Sequence, residues 1–202
     1  MTNTGLRISH LRNAFAGPVT LDVSEATCAA ITGPSGSGKS LLLRMVADLD
    51  PNYGEVWLDG KSRGTMPAPE WRRHAIYLSA ESGWWSDMVG DHFASDERQA
   101  AAELAQRLSI RTSAMDAPIT QLSTGEKQRL ALIRALVKSP RVLLLDEATA
   151  ALDPASVERV ETLLSEFMSR GRAIVLVTHD PEQAERMGTR RYHMNSGRLV
   201  PA

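Results

Sequence analysis

Gly33-Pro34-Ser35-Gly36-Ser37-Gly38-Lys39-Ser40 decides how this chain is read, because it meets every fixed position of the pattern G-x-x-x-x-G-K-[ST]. Its glycines let the backbone turn tightly enough for successive N–H groups to point at phosphate oxygens. Lys39 is expected to reach the outer phosphates, and the Ser40 hydroxyl to ligate Mg²⁺. Just before the loop, Ala29-Ala30-Ile31 reads as the end of a buried strand. Just after it, Leu41-Leu42-Leu43-Arg44-Met45-Val46 reads as a helix whose positive end faces the anion. Strand, glycine-rich loop and helix together predict a nucleotide-binding α/β domain.

A second stretch narrows this. Arg141-Val142-Leu143-Leu144-Leu145 is followed by Asp146 and Glu147. Four apolar residues in a row suit a strand buried on both faces of a parallel sheet. Carboxylates at its C-terminal end emerge where open α/β sheets bind ligands. Asp146 is placed to hold Mg²⁺ through its water shell, and Glu147 to activate a water against the γ-phosphate. Taken alone, a strand end with two solvated acids reads equally well.

The third stretch is Leu122-Ser123-Thr124-Gly125-Glu126-Lys127-Gln128-Arg129. Ser123-x-x-Glu126 is a capping box, so a helix starts here. Leu130, Ile133, Leu136 and Val137 mark its apolar face, and Pro140 follows its end. This stretch resembles the L-S-G-G-Q signature of ATP-binding-cassette (ABC) ATPases. Further segments are similar to that family in its order. Ala150-Ala151-Leu152-Asp153 resembles the loop after the catalytic acid, and His179 the switch histidine that follows the next buried strand. Gly54–Gly60 resembles an antiparallel hairpin segment and Asn195–Val200 the last strand.

The resemblance implies a P-loop NTPase core with a mostly parallel sheet, an antiparallel β subdomain and an inserted helical subdomain at about residues 86–139. All of these lie in one domain, 1–202. It implies ATP and Mg²⁺ as cofactors, Glu147 as the catalytic base and His179 as a γ-phosphate sensor. It also implies a second ATPase subunit, either a copy of this chain or a related one. In such a pair ATP lies between the phosphate loop of one chain and Ser123, Gly125 and Glu126 of the other, with Asp153 near the interface. Asp153 also reads as a helix N-cap ahead of Pro154. Phe15 is the candidate for stacking on adenine, with a core phenylalanine as its competing reading.

The departures from the family pattern are specific. Thr124 and Glu126 stand where glycine and glutamine are usual. Ala80, in Tyr77-Leu78-Ser79-Ala80-Glu81, stands where the family has a glutamine that binds Mg²⁺ and links the site to the membrane partner. Glu81 is the candidate metal ligand in its place, or else a solvated loop acid. Trp84-Trp85 falls where transport ATPases receive a helix of an integral membrane permease. One or both rings could equally pack into the cleft between subdomains.

Composition agrees with an ordinary single domain. The 202 residues carry a net charge of −1, so no broad basic field argues for nucleic acid. No N-terminal leader pattern and no apolar run of membrane-spanning length is read, and nothing is expected after the last strand. Cys28 is the lone cysteine, which excludes a disulfide framework and suits a small buried residue. The expected protein is an ATPase subunit of an ABC transporter, cytoplasmic and peripheral on the inner face of the cell membrane through its partner. The alternative is a soluble ABC ATPase acting on an assembly or repair complex.

Overall fold

The computed structural model describes residues 5–202. Its centre is a six-stranded sheet in the order β10-β9-β3-β8-β7-β6. Those strands are β3 (Cys28–Thr32), β6 (Ala75–Leu78), β7 (Val142–Asp146), β8 (Ala173–Val177), β9 (Arg190–Asn195) and β10 (Arg198–Pro201). All neighbours run parallel except the terminal β9–β10 hairpin. A second sheet is antiparallel, in the order β2-β1-β4-β5, from β1 (Gly5–Arg12), β2 (Val19–Ser24), β4 (Tyr53–Leu58) and β5 (Lys61–Ser62).

The apolar runs of β7 and β8 serve two cores at once. Leu143, Leu145, Ile174 and Leu176 face a cluster built with α4 (Thr124–Leu136) and α5 (Pro154–Ser169). Val142, Leu144, Val175 and Val177 face the opposite cluster, with α1 (Lys39–Val46) and the antiparallel sheet. Side chains alternate along a strand, so a strand covered on both faces must be apolar throughout. That is why β7 can carry two acids to its end without loosening its pairing.

The helical insertion holds α3 (Arg98–Arg107), several single 3₁₀ turns and α4. Several details complete the picture. Between β5 and β6 lies α2 (Ala68–His74), with Pro69 in its first turn, and its last residue, His74, leads directly into β6. Trp71 on α2 is fully buried and donates its indole N–H to the Val46 carbonyl at 2.9 Å. Asn195–Val200 holds the end of β9, the Ser196-Gly197 turn and most of β10, so the last strand is present and begins at Arg198. On α4, Leu130 and Ile133 are buried, whereas Leu136 and the C-cap residue Val137 are only half-buried. Cys28 is buried, and burial pushes its thiol up to about 12.

Candidate nucleotide site

The phosphate loop leaves β3 and enters α1 through Gly38, whose φ of 102° is left-handed. Gly33 is the tightest position: its φ is 145°, and a Cβ there would lie 2.1 Å from the Met194 carbonyl oxygen of β9. Only glycine allows that approach. No side chain caps α1, so its first N–H groups point into the loop. Lys39 is buried, and its Nζ donates to the Gly33 and Pro34 carbonyls at 2.8 and 2.9 Å. Burial pulls its ammonium below the ordinary value, while Glu147 and Asp146 push it back up. Ser37 Oγ is buried without a partner. The glycine cradle, the uncapped helix end and this orphaned hydroxyl fit an anionic phosphate chain.

The two acids stand across this loop. A cleft of about 270 Å³ is lined by Ser35, Gly36, Gly38, Lys39, Ser40 and, on its far side, Glu147 and His179. Asp146 is buried, and one of its oxygens accepts the Tyr77 hydroxyl at 2.8 Å. Burial first, and then this bond to Asp146, hold the Tyr77 hydroxyl well above its ordinary value, so it stays a donor. Glu147 has a φ of 52°, a left-handed conformation unusual for a side-chain-bearing residue, which turns it out of the strand line. His179 Nε2 stands 2.8 Å from Glu147 Oε1. Ser40 and Asp146 supply the hard oxygen donors that suit Mg²⁺.

Glu81 does not join this group. It is exposed on the loop after β6, and among the described residues no cluster of three or more His, Cys, Asp or Glu is placed to hold a metal. The side chain that does reach Asp146 from this segment is Tyr77.

Phe15 is 80% exposed, which excludes the core reading. Asn13 Oδ1 accepts the backbone N–H groups of Phe15 and Ala16, both at 2.9 Å. This loop is tied to the phosphate loop through the last hairpin. Gly17 N–H donates to the Gly197 carbonyl at 2.8 Å, and Gly197 N–H donates to the Ser37 carbonyl at 2.9 Å.

The signature end of α4 differs from expectation in one respect. Ser123 does not present a free hydroxyl: it accepts the Glu126 N–H at 3.2 Å and donates to Glu126 Oε2 at 3.0 Å. Glu126 Oε2 also accepts the Ser123 N–H at 2.9 Å, completing the capping box. Asp153 caps α5 through the Ser156 N–H at 3.0 Å, as its sequence context predicts.

The two tryptophans divide. Trp84 is half-buried against the core, and Trp85 is 71% exposed. The Arg134 guanidinium lies over both rings, at 4.8 and 4.6 Å. Buried His92, not singled out by the sequence, holds this loop: its Nε2 accepts the N–H groups of Trp85 and Ser86 at 3.0 and 3.2 Å. Gln128 and Gln183 were also missed. Both are buried amides on otherwise unremarkable helical positions, and only their backbone and loop partners reveal them.

Comparison with known proteins gives the family. The ABC transporter family model matches residues 16–150. The lipoprotein-releasing system ATP-binding protein of Paramagnetospirillum magneticum is 33% identical over 99% of this chain and 99% of its own length. The methionine import ATP-binding protein of Thermobifida fusca is 34% identical over 90% of this chain, which spans 61% of that relative. The structure of a bacterial Atm1-family ABC exporter with ATP bound superposes with a TM-score of 0.85 at 24% identity, over 99% of this chain and 38% of the exporter, and so shares the fold. A family model over most of the chain and a relative matched end to end lead to one conclusion: the chain belongs to the ABC transporter family.

Proposed function

We propose that this chain binds and hydrolyses ATP as one of two nucleotide-binding subunits that close on ATP and drive an integral membrane partner. The observation that supports this most is Glu147 held against His179 across the cleft from the phosphate loop. Glu147 accepts the proton of a water as its oxygen forms a bond to the γ-phosphorus. The bond to the β–γ bridging oxygen breaks, and ADP leaves with phosphate. Lys39 gives up its two carbonyl partners for phosphate oxygens. His179 orients Glu147 and hydrogen-bonds the γ-phosphate. Ser40 and Asp146 would hold Mg²⁺, which supplies charge neutralisation on the phosphates. Phe15 stacks on the adenine.

A second subunit brings Ser123 and Gly125 to the γ-phosphate, an arrangement that two-fold symmetry satisfies twice. Among the described residues no helix is long and apolar enough to cross a membrane, and in this reading the membrane work falls to a partner chain. The cleft of about 350 Å³ beside Trp84, Trp85 and Arg134 is the proposed seat of that partner, on the cytoplasmic face.

Glu147→Gln tests the chemistry. It should abolish phosphate release and trap an ATP-bound dimer, seen by size-exclusion chromatography with bound nucleotide. Turnover equal to wild type would overturn the assignment. The transport half is tested by affinity purification from detergent-solubilised membranes. A stoichiometric polytopic protein, lost on Trp84→Ala with Trp85→Ala, supports it, and soluble partners alone overturn it.

A further inference from the structure

The turn that presents Glu147 is clasped from two sides by buried amides. From α4, Gln128 is 4% exposed. Its Nε2 donates to the Glu147 carbonyl at 3.0 Å, and its Oε1 accepts the Ala151 N–H at 3.2 Å. One side chain therefore spans the turn from end to end. Its neighbour Arg129 continues the clasp, donating to Ser156 Oγ at 2.9 Å, and Ser156 in turn donates to Asp153 Oδ2 at 2.7 Å. The signature glycine abuts the same turn, since a Cβ on Gly125 would lie 3.4 Å from both the Ala151 carbonyl oxygen and Leu152.

The second clasp comes from α6 (Pro181–Met187), the helix that follows His179. Gln183 is 2% exposed, and its Nε2 donates to Thr149 Oγ1 at 3.0 Å and to Glu161 Oε1 at 3.2 Å. Arg186 holds that same Glu161 with two bonds of 2.9 Å, so the anchor does not move freely. The clasped backbone is itself strained at Glu147, whose φ of 52° persists only if its surroundings hold it.

We propose that Gln128 and Gln183 are positioning residues that make the placement of Glu147 depend on two elements at once. Gln128 ties it to the signature helix, and Gln183 ties it to the helix after His179. The inference rests on the nucleotide-driven pairing proposed above. There, the signature end of α4 meets the nucleotide held by the second subunit, while His179 meets the nucleotide held by its own chain. Through Gln128, filling one composite site sets the base of the other. Through Gln183, the same base answers to its own site. Neither amide touches nucleotide, so neither contributes to binding directly.

The experiment compares Gln128→Leu, Gln183→Leu and the milder Gln128→Glu, which keeps the acceptor for Ala151 and loses the donor. Turnover is measured against ATP concentration, and mant-ADP binding is measured by fluorescence on the same preparations. Gln128→Leu should lower kcat by about 10²-fold, the effect of a base displaced by about an ångström, with mant-ADP affinity unchanged. Its Hill coefficient should fall to about 1, while that of Gln183→Leu stays at the wild-type value despite a similar loss in kcat. Gln128→Glu should lie between Gln128→Leu and wild type in both readouts. If kcat and the Hill coefficient are unchanged in Gln128→Leu and Gln128→Glu, the inference fails. It also fails if mant-ADP affinity drops in step with kcat, which marks general damage. A wild-type chain with no ATP turnover would overturn the ATPase reading itself and the inference with it.

Discussion

Two helix N-termini in this molecule belong to the proposed ATP site, and they are finished in opposite ways. α1 starts at a left-handed glycine with no side-chain cap, and its loop is closed by Lys39 folding onto two carbonyls. α4 starts at Ser123 and is fully capped by its own Glu126. In the proposed site the first terminus stands open to an anion: when phosphate arrives, the ammonium exchanges neutral carbonyl oxygens for anionic ones. The second terminus is already satisfied, and a carboxylate occupies the position where a helix dipole would otherwise attract phosphate. Binding at α1 therefore completes an unfinished structure, whereas binding at α4 displaces a finished one. An ATP site assembled from both has a strong half that acts within one chain and a weaker, reversible half that acts between chains.

The largest test of this contrast removes the ammonium. Lys39→Ala should reduce turnover by about 10²–10³-fold, the usual cost of losing one donor to developing charge. Mant-ADP affinity should fall with it, because this half of the site does the binding. A variant that binds mant-ADP as wild type does would show that the α1 half is not the dominant one. Thermal unfolding should move little in the nucleotide-free chain, since the bonds lost are two exchangeable contacts to loop carbonyls.

A smaller effect is expected at the metal end of the α1 half. Tyr77→Phe frees the Asp146 oxygen that now accepts the phenol. Removing a partner that orients a metal-binding carboxylate typically costs about tenfold in metal affinity. Titration of the nucleotide-loaded chain with Mn²⁺, followed by electron paramagnetic resonance, should show that weakening. Tighter Mn²⁺ binding would mean that Tyr77 competes with the metal instead of orienting its ligand. This outcome bears on Ala80, because a chain without the usual loop glutamine needs some other residue from β6 to shape the metal site.

How much of this was readable beforehand depended on distance along the chain. The phosphate loop, the apolar run of β7, the capping box of α4 and the Asp153 N-cap of α5 are local patterns, and all form where their residues predict. β7 was legible because a strand shared by two cores cannot be polar on either face. α2 was not, since Ala68-Pro69-Glu70-Trp71 has no repeated apolar stripe and is held by one buried indole bonded to Val46. The Tyr77–Asp146 bond joins residues 69 positions apart. The Gln128 clasp depends on backbone groups of a turn whose shape is set by Glu147's left-handed φ. His92 is legible only after the tryptophan loop is seen to lean on it. Residues whose role is to hold someone else's backbone leave no pattern of their own.

The smallest and most discriminating test changes the α4 half alone. Glu126→Gln keeps the geometry of the capping box, since glutamine also serves at that position, but removes the charge that faces incoming phosphate. The KM for ATP turnover should fall by roughly two- to fivefold, equivalent to about 0.5–1 kcal/mol of relieved repulsion at a helix terminus. Stability should change in the opposite sense and depend on pH. The Ser123 backbone N–H, then the Ser123 hydroxyl and Arg111, hold the Glu126 carboxyl below its ordinary value against the opposing effect of burial. A carboxyl with a lowered folded-state pKa stabilises the fold above its unfolded value, and that contribution is lost as pH falls through the lowered one. The wild type should therefore unfold at higher temperature than Glu126→Gln near neutral pH. The gap should close only in acid, below the ordinary glutamate range of about 4.3. A stability gap that persists unchanged into strong acid would mean that the cap acts through shape and not through charge. A KM that does not move would mean that Glu126 swings clear before phosphate arrives, and the two helix ends would then be equal partners in the closed site.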